Sequence, residues 1–174
     1  MLREVGFWCS DEELSKPAGD LLDINRPNPL LLVDDKWFAE CTPEVLQKIE
    51  WYLTRVFVES HELAYSFCRF PNCSLALEQP HVMGACTMTD GLYCWPEGYW
   101  HYVSHHHVRP PQEFLTHLLA NYDAMIDTVK SATAEKKLLL WDDCEQQAVD
   151  MPRAMQDWIT SYTTIKLSAL IPLS

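Results

Sequence analysis

Apolar and polar positions follow two rhythms along this chain, and the switches between them mark its elements. Val45, Leu46, Ile49, Tyr52, Leu53 and Val56 recur at helical spacing behind Thr42-Pro43-Glu44. A capping hydroxyl, a proline at the first position and then an acid make a helix start, so residues 43–57 are predicted to form an amphipathic helix. From His61 the period shortens to two. His61, Leu63, Tyr65 and Phe67 alternate with Glu62, Ala64, Ser66 and Cys68, which predicts a strand. Residues 69–81 read as a connecting loop, and a second strand is expected over Val82–Thr89.

Asp90-Gly91 then separates two β-prone runs, Cys86–Thr89 and Leu92–Trp95. An Asp-Gly pair suits the positive φ angles of a type I′ turn, so a hairpin is predicted. Pro96 pre-sets φ for a helix and Glu97 suits the positive end of its dipole, with Tyr99 to His106 following. Val108-Arg109-Pro110-Pro111 stops that helix, and Pro111 opens the clearest one. Its apolar stripe is Phe114, Leu115, Leu118, Leu119, Tyr122, Met125, Ile126 and Val129.

The flanks are less periodic. Residues 1–41 are punctuated by Pro17, Gly19, Pro27 and Pro29 and read as a mostly irregular strap, held by Phe7, Trp8, Trp37 and Phe38. Within it Leu30–Val33 suits a short buried strand or a crossing segment. Lys136–Trp141 is a strand candidate, and Met155, Trp158, Ile159, Tyr162 and Ile165 suggest a last helix opening near Pro152. Ser161–Ser174 has no clean period. The expected fold is α+β: a small antiparallel sheet with a β-hairpin, packed by three or four helices. One domain is expected over residues 1–174, with a strap at 1–41, a core at 42–132 and a C-terminal helical extension at 133–174.

The run TDG-x-Y-x-WPEG-x-x-HYV, followed by H-x-VR-x-P-x-x-F, occupies Thr89 to Phe114. With Leu2 to Phe7 and Cys68-Arg69, it resembles a group of bacterial proteins that have no established activity. The likeness covers roughly residues 1–120 with gaps. It implies a fold, with a Cys-Arg strand ahead of the hairpin, more than it implies a function.

Composition narrows the classes. The chain has 174 residues, 48% of them hydrophobic and 22% charged, which is ordinary for a globular protein. A formal charge of −12 repels phosphate backbones, and no Lys/Arg-rich stripe offsets it, so nucleic-acid binding is disfavoured. No long apolar run predicts a membrane span. Seven cysteines, an odd count, argue for reduced thiols rather than a disulfide framework. MLREVGFW meets Asp11-Glu12-Glu13 without the apolar region of a secretory signal, so the cytoplasm is the expected compartment.

The sharpest candidate chemistry is a metal site. Cys68 and Cys73 stand in C-x4-C spacing around Pro71, and His101 is followed by His105, His106 and His107. Zinc sites of the Cys2His2 kind set thiolates on a knuckle and imidazoles on a helix at H-x3–5-H spacing. On an ideal helix His101 and His105 lie about 40° apart and His101 and His106 about 140° apart. Helical geometry thus favours His105, whereas the resemblance favours His106. Cys86 and Cys94 compete as ligands. The competing explanation is packing, since cysteine often serves as a small buried hydrophobe.

A second candidate is acid–base or open-metal chemistry from Glu97 and His101, four residues apart on one helix face. A third is a nucleophilic Cys68 with its pKa lowered by Arg69. No Walker loop, GxGxxG or G-x-S-x-G is present, which removes nucleotide-binding and α/β-hydrolase classes. Tyr99 and Trp100 are candidate interface anchors. The expected role is therefore a non-enzymatic, cytosolic protein-interaction or accessory module with a candidate structural zinc and an unidentified protein partner. By analogy alone it is immunity-protein-like. The alternative is a small metal-dependent enzyme using Glu97 and His101. A concave pocket holding both side chains would favour the enzyme, and four-ligand closure with an exposed patch would favour the module.

Overall fold

Residues 2–9 and 26–134 are described by the structure, a computed structural model. Four strands form its sheet: β1 (Arg3–Glu4), β2 (Phe57–His61), β3 (Cys86–Thr89) and β4 (Tyr93–Pro96). Their order is β1-β4-β3-β2. The β2–β3 and β3–β4 ladders are antiparallel, as expected, but β1 lies parallel to β4 and makes the sheet mixed. Among the described residues the α-helices are α1 (Asp35–Glu40), α2 (Pro43–Thr54), α3 (Ser74–Glu78), α4 (Tyr99–His106) and α5 (Gln112–Ala134). The architecture is α+β. The expected elements at Lys136–Trp141 and beyond Pro152, the tail Ser161–Ser174 and residues 10–25 of the strap lie outside the described residues.

The hairpin forms where the Asp-Gly pair predicts it, but its turn is built differently. Gly91 has φ 90°, whereas Asp90 is not among the positive-φ residues, so the type I′ geometry is not adopted. Instead Asp90 turns its side chain inward. Its Oδ1 accepts from the amides of Leu92 at 2.9 Å and Tyr93 at 2.7 Å, closing the reversal through the carboxylate. Its Oδ2 accepts from the Tyr52 hydroxyl at 2.8 Å and lies 2.8 Å from His117 Nε2. A carboxylate that is only 2% exposed is thereby satisfied on all sides and ties α2 and α5 to the turn.

The core sits between the sheet and α2, α4 and α5. Ile49, Tyr52 and Leu53 of α2, Trp95 of β4, and Phe114 and Leu118 of α5 are buried together. The indole N–H of Trp95 donates to the Leu53 carbonyl at 3.0 Å, which satisfies the one polar atom of a wholly buried side chain. Tyr99 stands edge-on to Trp8, with centroids 5.5 Å apart, and stacks on Phe114. These ring contacts hold the N-terminal segment against α4.

Four segments depart from the sequence expectation. The strand expected over residues 61–68 ends at His61 and begins at Phe57, because β3 has only four residues to pair with. Residues 62–67 continue as an exposed run that bends at Leu63-Ala64, tied to the body by the Glu62 and Ser66 amides bonding Ala85 and Gly84 carbonyls. Alternation without a neighbouring strand does not make a sheet. Leu30–Val33 is not a strand: Pro29–Leu32 is a 3-10 turn capped by the Asn28 side chain, and only Val33 bridges, to Val108. The loop expected over 69–81 contains α3, and the helix after Pro96 starts later than predicted, since Pro96 is still the partner of Thr87.

Candidate metal centre

The knuckle that carries both cysteines is shaped by its backbone. Pro71 fixes one φ angle, and Asn72 follows in the left-handed region at φ 57°, a conformation asparagine tolerates better than most residues. The chain therefore reverses, and Cys73 opens α3 pointing back toward Cys68. The Phe70 amide donates to Cys68 Sγ at 3.4 Å, the kind of N–H···S bond that steadies a ligating sulfur. From α4, the Tyr102 hydroxyl accepts from the Arg69 amide at 2.9 Å and pins the knuckle to the helix.

The histidines come from the other wall. His101 sits in the first turn of α4, buried to 5% exposure. The last turn is widened: the His107 amide bonds back five residues to the Tyr102 carbonyl, and His107 adopts the left-handed conformation. Such an i→i+5 closure brings residues five apart closer to a common face than an ideal helix allows. The helix end is held from outside by the Val33–Val108 bridge and by the Asp34 amide bonding the His107 carbonyl. Asp35 and Phe38 meet the His107 ring, at 2.7 Å and by stacking at 4.0 Å.

The result is one cluster. Ligand atoms of Cys68, Cys73, His101 and His106 all lie within 4.8 Å of one another. Cys68 Sγ is 3.2 Å from His106 Nε2 and 3.4 Å from His101 Nε2, and Cys73 Sγ is 3.5 Å from His101 Nε2. His105 stacks near His101 at 5.3 Å but is exposed and stands outside the group. Of the two histidines left open by the sequence, His106 joins the cysteines, because the widened turn cancels the offset of an ideal helix. Phe70 stacks on its ring at 3.8 Å with a 3° tilt. His101 Nδ1 is buried without a hydrogen-bond partner, so that ring is oriented by packing.

Burial sets the electrostatics. It pushes the Cys68 thiol up to about 11, which removes the expected activation by Arg69. It also lowers His101 and His106 to about 4, the neighbouring imidazoles adding to the effect. Two neutral imidazoles with lone pairs beside two sulfurs form a site ready for a cation and poor at holding protons. A metal ion there would invert the thiol preference by stabilising thiolates. Together these residues can hold a metal ion.

The other candidates separate. Glu97 Oε2 accepts from the Ala85 amide at 2.8 Å, and burial pushes its carboxyl up to about 7. Glu97 thus neither caps α4, which begins behind Gly98, nor bonds His101, so the two do not form an acid–base pair. Tyr99 is fully buried and cannot anchor a partner; it starts α4 facing Trp8 and Phe114 rather than solvent. Trp100 is half-buried against the core. Cys94 is buried, with its thiol raised to about 12, and Cys86 lies 3.2 Å from His61 Nδ1, so neither competes for the cluster. The pinning residues Tyr102 and Phe70 carried no signal of their own in the sequence. Among the described residues no helix is long and apolar enough to cross a membrane. Comparison with protein families, curated proteins and solved structures returned no match to this chain.

Proposed function

We propose that the chain is a non-enzymatic, cytosolic protein-interaction or accessory module whose recognition loop is fixed by a structural zinc ion on Cys68, Cys73, His101 and His106. The observation that carries this reading is the convergence of four ligand atoms within 4.8 Å. Zn–S and Zn–N bonds of ordinary length, arranged tetrahedrally, separate neighbouring ligand atoms by about 3.3–3.8 Å. The sulfur–nitrogen separations of 3.4 and 3.5 Å lie within that range, and the third, 3.2 Å, just under it. Two thiolates with two imidazoles suit zinc better than magnesium or calcium, which prefer oxygen. Four protein ligands complete the tetrahedron and leave no position for a reacting water, which favours a structural role over a catalytic one.

The interaction part rests on what the site holds in place. Leu63, Tyr65, Phe67 and Leu77 are all exposed, on the segments that lead into and out of the knuckle. Such apolar residues gathered on one region suit a partner protein. No disulfide joins the six cysteines among the described residues, which fits a reducing compartment.

Metal analysis of protein purified without an affinity tag tests the site. Stoichiometric zinc is expected, lost in a Cys68→Ser, His101→Ala double variant. Cobalt should substitute with the absorption of a mixed sulfur–nitrogen tetrahedron. His106→Ala should weaken zinc binding by on the order of 100-fold or more, while His105→Ala leaves it unchanged in a chelator competition. A fully folded, metal-free protein indifferent to chelators would overturn the reading.

A further inference from the structure

A groove of about 570 Å³ is lined by the knuckle, α3 and the turn at Leu30. Leu30, Phe67, Phe70, Pro71, Ala76 and Leu77 make its walls apolar. Arg69 is the one charged residue among those that line it, and its guanidinium lies over the Phe67 ring, 4.0 Å from the centroid. Phe67 is 65% exposed and Leu77 74%, so both stand largely open. Covering them would remove apolar surface from water, a favourable step. The sequence holds a segment of matching character. Residues 151–174 contain Arg153, Asp157 and Lys166, net +1; with the whole chain at −12, residues 1–150 carry −13. No charge falls between Trp158 and Ile165. Met155, Trp158, Ile159 and Tyr162 stand at i, i+3, i+4 and i+7, the anchor pattern of a helix laid in an apolar groove, and Ile165 continues it.

We propose that residues 151–168 of the same chain dock in this groove as an amphipathic helix, presenting Trp158, Ile159 and Tyr162 to Phe67 and Leu77. Charge selects this occupant over a second copy. The acidic body attracts a weakly basic segment, whereas another whole chain brings a further −12. Reach allows it. Residues 135–154 can span up to about 70 Å, and a body of a hundred-odd residues is roughly 35 Å across. The segment therefore reaches the groove whichever way the chain leaves α5 at Ala134. Tethering also makes the contact intramolecular, at an effective concentration on the order of millimolar, so a weak intrinsic affinity suffices. Leu63 and Tyr65 do not line the groove and stay open to a partner protein. A partner that also needs Phe67 and Leu77 must displace the segment. The inference thus adds regulation to the interaction reading, and that part rests on it.

The test is photo-crosslinking in the full chain with zinc present. Leu77→p-benzoylphenylalanine puts the probe on the groove, at an exposed position where substitution costs little. Thr116→p-benzoylphenylalanine, on the exposed side of α5, is the control. Irradiating a mixture of unlabelled and isotope-labelled protein, followed by peptide mass spectrometry, separates links within a chain from links between chains. Position 77 is expected to link to residues 151–168 of its own chain about tenfold more than position 116 does. Trp158→Glu should cut those links about tenfold, because a charge is costly to bury in an apolar groove. Links from position 77 that reach only a second copy, that miss residues 151–168, or that do not exceed the control would overturn the proposal. Such a result would leave Phe67 and Leu77 open to an outside partner, so self-docking and the interaction reading fail separately.

Discussion

Glu97 shows how one side chain can answer a different demand from the one its position suggests. It precedes a helix, where an acid favours the dipole, yet its carboxylate is turned back onto the Ala85 amide under Gly84. Burial outweighs the two amide hydrogen bonds and lifts its pKa from 4.5 to about 7. The folded state then keeps a proton that the unfolded chain releases. This contribution to stability is fully present below pH 4.5 and is lost as the pH rises through about 7. Urea unfolding of the parent protein between pH 5 and 8, set against Glu97→Gln, should show the variant's stability falling less with pH. A parent and variant that fall in parallel would mean the proton is not held. Cys68, Cys73 and His101 were legible from spacing alone, because knuckle and helix ligands obey short-range rules. His106 was not separable from His105, since the widening of the last turn depends on Val33, Asp34 and Phe38, more than sixty residues upstream in the chain.

At the scale of elements, the β3–β4 hairpin is stabilised less by its turn type than by the carboxylate inside it. Asp90 receives bonds from Tyr52 on α2, from its own turn amides and from His117 on α5. Removing it strands several buried donors at once. Asp90→Ala should therefore destabilise the fold by at least about 3 kcal/mol in chemical denaturation, and Asp90→Asn by clearly less. Near-equal effects of the two would show that the acceptor oxygens are unimportant. The helices α2 and α5 were readable because each carries a long apolar stripe. The strand expected at 61–68 failed because period-two alternation reports a preference that only a neighbouring strand can satisfy. The two-residue β1 is too short to leave any periodic signal.

Viewed whole, the molecule divides its apolar side chains unevenly. One set, from α2, β3, β4, α4 and α5, forms the core, while Leu63, Tyr65, Phe67 and Leu77 stay outside on the segments around the knuckle. Replacing exposed residues should cost little in folding. A Leu63→Ser, Phe67→Ser double variant should unfold within about 0.5 kcal/mol of the parent protein while binding markedly less of a hydrophobic dye. Loss of the cooperative transition would instead place those side chains in the folded body.

Cys68 and His106 are 38 residues apart, and the whole hairpin lies between them. An ion joining them would act as a staple on the unwound chain as well as on the native one. By the loop-closure relation for crosslinks, tethering a segment of that length removes entropy worth about 4 kcal/mol from the denatured ensemble. Chelation would then act at a distance: it would lift that constraint from the whole span between the two ligands, the turn around Asp90 included, although Asp90 is not one of the four.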